Sequence, residues 1–276
     1  MPPLLSVLIP AYNEQATLGE LLRRVSAAPY EKQIIVVDDA STDATPDILP
    51  AWKDRCHVLR HPQNRGKGAA IRTGLAAAAG RYTIVQDADL EYDPGDYPKL
   101  IEPLLAGKAD VVYGSRYLRV GPTKQTEIAR GGSEEQSEQR RLVRTADPTR
   151  APALANRLGV LGLNFAVWAL YGARLTDEAT CYKAFPTDLL RGMELACERF
   201  EFCPEATAKT LRMGLRILEV PINYSARTAA EGKKIRLRDG VEALRTLWRF
   251  RKWQPPVRPA QPSPHFQPGR GASVDA

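Results

Sequence analysis

The sequence predicts an α/β fold, a mostly parallel sheet with helices on both faces. Three observations lead there. Short apolar runs alternate with segments of helical periodicity between residues 4 and 113. Each run is almost continuously apolar, as strands buried on both faces must be. Polar groups that core packing cannot use stand at three run ends: Pro10 to Glu14, Asp38-Asp39 and Asp87-Ala88-Asp89. In parallel sheets, ligands bind beyond the carboxyl ends of the strands.

Leu4 to Ile9 is the first predicted strand, stopped by Pro10. Asn13 is read as the N-cap of a helix built on Leu18, Leu21, Leu22 and Val25. Ile34 to Val37 is the second strand, followed by a Ser/Thr/Asp turn and a helix near Asp43 with Pro46 in its first turn. His57 to Leu59 is a short third strand. His61 to Gly68 is a loop, Ala69 to Ala79 a helix with Gly80 at its C′ position, and Tyr82 to Val85 the strand leading to Asp87. A helix after Pro94 stops at Gly107, and Ala109 to Tyr113 is a further strand. Residues 121–150 are polar and Gly-containing and read as a disordered insertion. Leu154 to Trp168 has helical spacing with apolar residues over much of its surface, so it packs on the core or lies on a membrane. Thr176 to Phe185 reads as a polar loop with a short apolar end. Pro204 to Met213 is a helix, Leu215 to Val220 a strand, and Ser225 to Asp239 a basic loop. Val241, Leu244, Leu247 and Trp248 make an apolar stripe opposite Arg245, Arg249 and Lys252, a basic amphipathic helix. One domain is expected over residues 1–250, with a disordered Pro-rich tail over 254–276.

The chain has 276 residues, 43% hydrophobic, with a formal net charge of +7. The basic surplus favours anionic partners. Cys56, Cys181, Cys197 and Cys203 show no C-x-x-C spacing, so free thiols in a reducing compartment are expected. The N-terminus lacks the features of a signal peptide, and no apolar run reaches the roughly 18 residues of a membrane span. A cytoplasmic protein follows, peripheral at the cytoplasmic membrane face if its acceptor is a lipid. No nucleic-acid partner is expected, and the oligomeric state stays open.

Two carboxylates one residue apart at a strand end either form a solvated turn or, if buried, repel each other unless a cation lies between them. A divalent ion carrying a diphosphate would supply it. Asp87 and Asp89, with Glu91 two residues on, offer the hard oxygen ligands that Mg²⁺ or Mn²⁺ prefers. Asp39, acceptor-only, suits the N–H groups of a nucleotide base. Asn64-Arg65-Gly66-Lys67-Gly68 looks like a phosphate cradle, with a tight turn before a helix as the plainer alternative. It lacks the spacing of a P-loop, and no G-x-G-x-x-G follows the first strand, which argues against P-loop kinases and Rossmann dehydrogenases. Arg116, after a strand, could hold phosphate, with a plain surface arginine as an equal alternative.

The motifs Val7 to Glu14, Val36 to Asp43, Asn64 to Gly68 and Gln86 to Glu91 together resemble the family-2 glycosyltransferases of GT-A (Rossmann-like) fold. Gly114-Ser115-Arg116, Leu175 to Lys183 and Tyr224 to Ile235 are similar to the dolichol-phosphate mannose synthase branch, the polyprenyl-phosphate glycosyltransferases. The resemblance covers about residues 4–250. It implies C-terminal acceptor-side helices and a basic loop added to the sheet. It implies nucleotide-sugar binding by Pro10, Ala11, Tyr12, Glu14, Asp39 and Lys67, with Asp87, Ala88 and Asp89 beneath ribose and diphosphate. It implies metal at Asp89, aided by Asp87 and Glu91, a position where the mannose synthases often carry Gln. Arg116, Arg227, Lys233 and Lys234 map near the donor and acceptor phosphates.

A hydroxyl acceptor needs a general base, whereas a lipid phosphate is already anionic and needs positioning cations. The basic residues Arg227 to Lys234 favour the phosphate, as does the lack of a Gln-x-x-Arg-Trp motif. Asp177 or Glu178 could still act as a base, and a structural role for Asp177 is an equal alternative. The expected reaction is therefore single-step inverting transfer of a sugar from GDP-mannose or a UDP-sugar to a polyprenyl or dolichyl phosphate, with Asp89, Arg116 and Asp177 as catalytic candidates. A glycosyltransferase with a hydroxyl acceptor, a nucleotidyltransferase and a non-catalytic nucleotide-sugar module remain alternatives.

Overall fold

The computed structural model describes residues 2–118, 154–227 and 237–256. The expected insertion at 121–150, Lys233 and Lys234, most of the basic loop and the tail from residue 257 lie outside the described residues. A seven-stranded sheet runs in the order β3-β2-β1-β4-β6-β5-β7. Its strands are β1 (Leu5–Ala11), β2 (Lys32–Asp38), β3 (Cys56–Arg60), β4 (Tyr82–Val85), β5 (Val111–Ser115), β6 (Lys183–Pro186) and β7 (Ile217–Pro221). The helices are α1 (Leu18–Ala27), α2 (Thr45–Ile48), α3 (Lys67–Ala77), α4 (Tyr97–Leu105), α5 (Leu154–Tyr171), α6 (Thr187–Gly192), α7 (Phe202–Arg212) and α8 (Leu237–Phe250). The expected α/β class and mostly parallel sheet are present.

The apolar runs are buried as their composition demands. Val7, Ile9, Ile35, Val36, Ile84, Val85, Val111 and Val112 are all fully covered. Each such side chain contributes roughly 1.5–3 kcal/mol by leaving water. A second apolar cluster joins Leu163 and Val167 of α5, Ala208 of α7, and Ala243, Leu247 and Phe250 of α8.

Parallel pairing levels the strand ends. Ala11 lies opposite Asp38, and Asp38 opposite Arg60. Leu8 lies opposite Val85, so β4 ends on Gln86 and Asp87 beside the exit of β1. β6 corrects the sequence reading, which placed a loop there. It is a four-residue strand antiparallel to both β4 and β5. A Lys in so short a run hid it, yet Lys183 is fully buried. Its ammonium donates to the carbonyls of Glu178 and Thr180 (2.6 and 2.8 Å) and lies 3.9 Å from the centre of the Tyr113 ring. Because β6 runs backwards, its N-terminal end lies at the carboxyl edge of its neighbours. The segment Thr176–Tyr182 is thereby delivered to that edge.

Two smaller expectations also change. Asn13 does not cap α1, which starts at Leu18 with Thr17 before it. Asn13 is left-handed (φ 53°). Its backbone N–H donates to Ser41 Oγ, and its side-chain oxygen accepts from the Thr42 N–H at 2.8 Å. It therefore clasps the exits of β1 and β2 together. Gly80 is not the C′ residue of α3, which is capped at Ala78. A Cβ there would stand 2.5 Å from the Ser6 nitrogen, so close approach to β1 demands glycine.

Glu178, beside Lys183, is fully buried, with the Thr207 hydroxyl as its neighbour and no well-formed hydrogen bond to its oxygens among the described residues. Burial pushes its carboxyl up to about 7 from an ordinary 4.5, against the pull of Lys183. With the folded value raised, the unfolded chain releases this proton first. The group's contribution is full below pH 4.5 and is lost as pH rises through about 7. Glu178→Gln should remove that loss. Thermal melts at pH 5 and pH 8 should show the variant gaining about 1–2 kcal/mol on the wild type at the higher pH. An unchanged difference between the two pH values would refute it.

Candidate active site

The site is built at the exits of β1, β2, β4, β5 and β7. Asp87 and Asp89 follow β4, and each meets a cation from a distant segment. Lys67, the first residue of α3, pairs with Asp87 at 2.6 Å and donates to the Cys181 sulfur at 2.8 Å. Burial acts to lower its ammonium, but Asp87 prevails and holds it well above the usual range. Arg227, beyond β7, sits 2.9 Å from Asp89 and 3.3 Å from Glu14. Burial, with Asp87 and Glu91 nearby, pushes the Asp89 carboxyl up to about 6 despite that guanidinium.

Glu91 is engaged on both of its side-chain oxygens. Its two side-chain oxygens accept from the Tyr224 hydroxyl (2.7 Å) and the Arg227 backbone N–H (2.8 Å). Its carbonyl accepts from the Ser225 N–H, and the next residue, Tyr92, pairs with Tyr224 in an isolated antiparallel bridge. Glu91 thus anchors the segment that carries Arg227. Among the described residues, no three His, Cys, Asp or Glu side chains gather to hold a metal by themselves.

Arg116, just past β5, makes a two-pronged contact with Asp177, 2.7 Å at each prong, while its backbone N–H donates to the same carboxylate at 3.0 Å. Its guanidinium lies 5.1 Å from the centre of the Tyr224 ring. Asp177 is fully buried, and Glu219 of β7 accepts from its N–H. Both oxygens of Asp177 are thus engaged by Arg116, which fits the structural alternative better than a free base.

Asp39 is buried at the exit of β2. Its oxygens accept from the N–H groups of Arg65 (2.8 Å) and Gly66 (2.7 Å), and one contacts His61 Nδ1 at 2.6 Å. The Gly68 and Ala69 N–H groups donate to the carbonyls of Arg199 and Glu198. Residues 65–69 therefore spend four N–H groups on distant segments, at Asp39 and at residues 198–199, and the Lys67 side chain reaches Asp87. Gly66 has φ +92°, and a Cβ there would lie 2.5 Å from the Glu198 carbonyl oxygen. Pro10 and Ala11 close β1, with Ala11 buried; Tyr12 is exposed, Glu14 nearly covered, and Ala88 buried between the two acids.

The structure thus brings Glu14, Lys67, Asp87, Asp89, Glu91 and Arg227 together, with Arg116 and Asp177 joined through Tyr224. Sequence reasoning did not single out Tyr224, His61, Cys181 or Glu219. Tyr224 had a signal, since it opens the stretch that carries Arg227. Glu219 had none, being one carboxylate in an apolar strand.

Asp177→Asn should leave Arg116 buried with one charge unmatched. The expected cost is about 3 kcal/mol or more of unfolding free energy by denaturant titration. An equally stable but inactive variant would instead mark Asp177 as a base.

Comparison with known proteins agrees with this architecture. A model of "Glycosyl transferase family 2" matches residues 6–157. The chain is 32% identical over 240 residues to an undecaprenyl-phosphate mannosyltransferase of Micrococcus luteus, covering 82% of this chain and 85% of that protein. It is 27% identical over 253 residues to a dolichol-phosphate mannosyltransferase of Pyrococcus furiosus, covering 90% of this chain and 64% of that protein. Glucosyl-3-phosphoglycerate synthase of Mycobacterium tuberculosis, solved with Mn²⁺ and UDP-glucose, aligns with a TM-score of 0.60 at 21% identity, covering 91% and 79% of the two chains. That likeness supports the GT-A fold. The chain belongs to glycosyl transferase family 2 and is a hexosyltransferase.

Proposed function

We propose that this enzyme transfers a sugar from a nucleotide sugar to a polyprenyl phosphate, with inversion at the anomeric carbon. The carrying observation is the set of cations, Lys67, Arg227 and Arg116, drawn from three segments to the acids at the end of β4 and to Asp177. A site that must bring two phosphate-bearing substrates together needs such cations. The Micrococcus luteus and Pyrococcus furiosus relatives are named for undecaprenyl and dolichol phosphates.

The donor lies over the exits of β1, β2 and β4, with its diphosphate between Lys67 and Arg227. An oxygen of the acceptor phosphate attacks the anomeric carbon from the opposite face. The bond to the nucleoside diphosphate breaks, and its electron pair leaves with the diphosphate. No general base is required, in keeping with the engagement of Asp177 by Arg116. Asp89 and Asp87 fit a hard divalent ion, Mg²⁺ or Mn²⁺, because they offer oxygen alone and Asp89 already faces a cation in Arg227. Diphosphate and water would complete the shell, and the ion would neutralise the leaving group.

The acceptor would be met at a membrane surface. No helix among the described residues is long and apolar enough to cross one. Leu158, Leu161, Phe165 and Trp168 of α5 are exposed, Phe165 by 64%, although the opposite face of α5 packs in the second cluster. On α8, Leu247 is buried, but Val241, Leu244 and Trp248 are exposed, with exposed Arg245 and Arg249 beside them. An apolar face flanked by arginines suits an anionic bilayer.

Incubation with labelled GDP-mannose, UDP-glucose or UDP-GlcNAc, with polyprenyl phosphate and Mg²⁺, should place label in the lipid phase. Asp89→Ala should reduce transfer by at least about a hundredfold; full activity in that variant would sink the metal assignment, and label in hydroxyl acceptors alone would sink the lipid reading. Flotation with vesicles of phosphatidylglycerol should recover the wild type but far less of a Phe165→Glu, Trp248→Glu double variant. Equal recovery of both proteins would rule out this face.

A further inference from the structure

The head and the root of Arg227 have separate fastenings. The root is its backbone N–H, held by Glu91, with Tyr224 locked to the same carboxylate. The head is the guanidinium, shared between Asp89 (2.9 Å) and Glu14 (3.3 Å). Two oxygens of Glu91 serve two donors. A Gln at that position would have one oxygen for the pair. The carboxylate at residue 91 therefore secures the root, and the head can change partners while the backbone stays.

What the head covers is the carboxylate that the proposed function gives to a metal. The guanidinium holds Oδ2 of Asp89, while Oδ1 accepts from the Glu91 backbone N–H at 3.1 Å; a guanidinium and a divalent ion cannot both take Oδ2, because their positive charges would repel at contact. A guanidinium also has an alternative partner when the donor arrives. Its planar fork matches phosphate oxygens as well as carboxylate. A diphosphate entering beside Asp89 would offer that partner and would bring ligands for the ion.

We infer that Arg227 is a latch that competes with a divalent cation for Asp89, released when a nucleoside diphosphate draws its guanidinium away. This rests on the metal reading of Asp89 proposed above. It makes metal and nucleotide binding mutually dependent through one side chain, and such coupling is reciprocal. It also assigns Glu91 a positioning role, holding the root of the latch through the Arg227 N–H and Tyr224.

The experiment measures Mn²⁺ binding to the full chain without nucleotide, by the electron paramagnetic resonance of free Mn²⁺, and repeats it with UDP and with GDP. Arg227→Gln should bind Mn²⁺ about tenfold tighter than the wild type in the absence of nucleotide. Arg227→Lys, which keeps a cation there, should stay near the wild type. Circular dichroism melts check that the variants fold, and Arg227→Ala replaces the Gln variant if that one does not. A neutral variant that binds Mn²⁺ no tighter than the wild type overturns the latch, even where nucleotide-dependent Mn²⁺ binding upholds the metal reading. If no protein binds Mn²⁺ even with nucleotide, the metal reading falls and the latch with it. Asp89→Asn should abolish the tightening in the Arg227→Gln background, and its persistence would place the ion elsewhere and overturn the latch.

Discussion

Charge matching at the strand ends is the constraint on which this molecule depends. The end of β4 carries Asp87, Asp89 and Glu91 within five residues, and burial would make their mutual repulsion costly. Lys67 answers Asp87, and Arg227 answers Asp89. Removing one partner of such a half-buried pair leaves the other charge uncompensated. The acids therefore hold the start of α3 and the segment beyond β7 in place, and Arg116 does the same for the segment before β6 through Asp177. Packing shapes the sheet, but ion pairs decide where the loops at its edge come to rest.

The same arrangement bears on chemistry. Each cation is held by a carboxylate that can release part of its hold to an incoming phosphate, because guanidinium and ammonium groups bind both. The site is thus organised before substrate arrives, and little reorganisation is left for the moment of reaction. Tyr224 links the two halves, accepting the Arg116 guanidinium over its ring and donating its hydroxyl to Glu91.

Much of the fold was legible in the sequence because parallel strands buried on both faces are continuous apolar runs, and β1, β2 and β4 are of that kind. The strand-end acids were legible because no core can use them. β6 was not, since a four-residue strand opening with a buried Lys carries no periodicity. The contacts of Glu91 were not legible either. Both partners of Glu91 lie more than 130 residues away, at Tyr224 and Arg227, and sequence spacing says nothing of contacts at that range. Asn13 and Gly80 failed for a related reason: local helix rules suggested caps, whereas tertiary contacts with the β2 exit and with β1 decide both conformations.

The position of β6 has a consequence for the order in which the chain can be assembled. β5 has β6 and β7 as its only neighbours among the described strands. On a ribosome, residues 111–115 would leave the exit tunnel long before residue 183 and would wait with both hydrogen-bonding edges open. The half-sheet β3-β2-β1-β4 can close first, since it needs nothing beyond residue 85. β6 then arrives between the two halves and joins them, so a nascent chain that stops short of residue 183 would display an unpaired Val111–Ser115 edge, the kind of surface that recruits chaperones or aggregates.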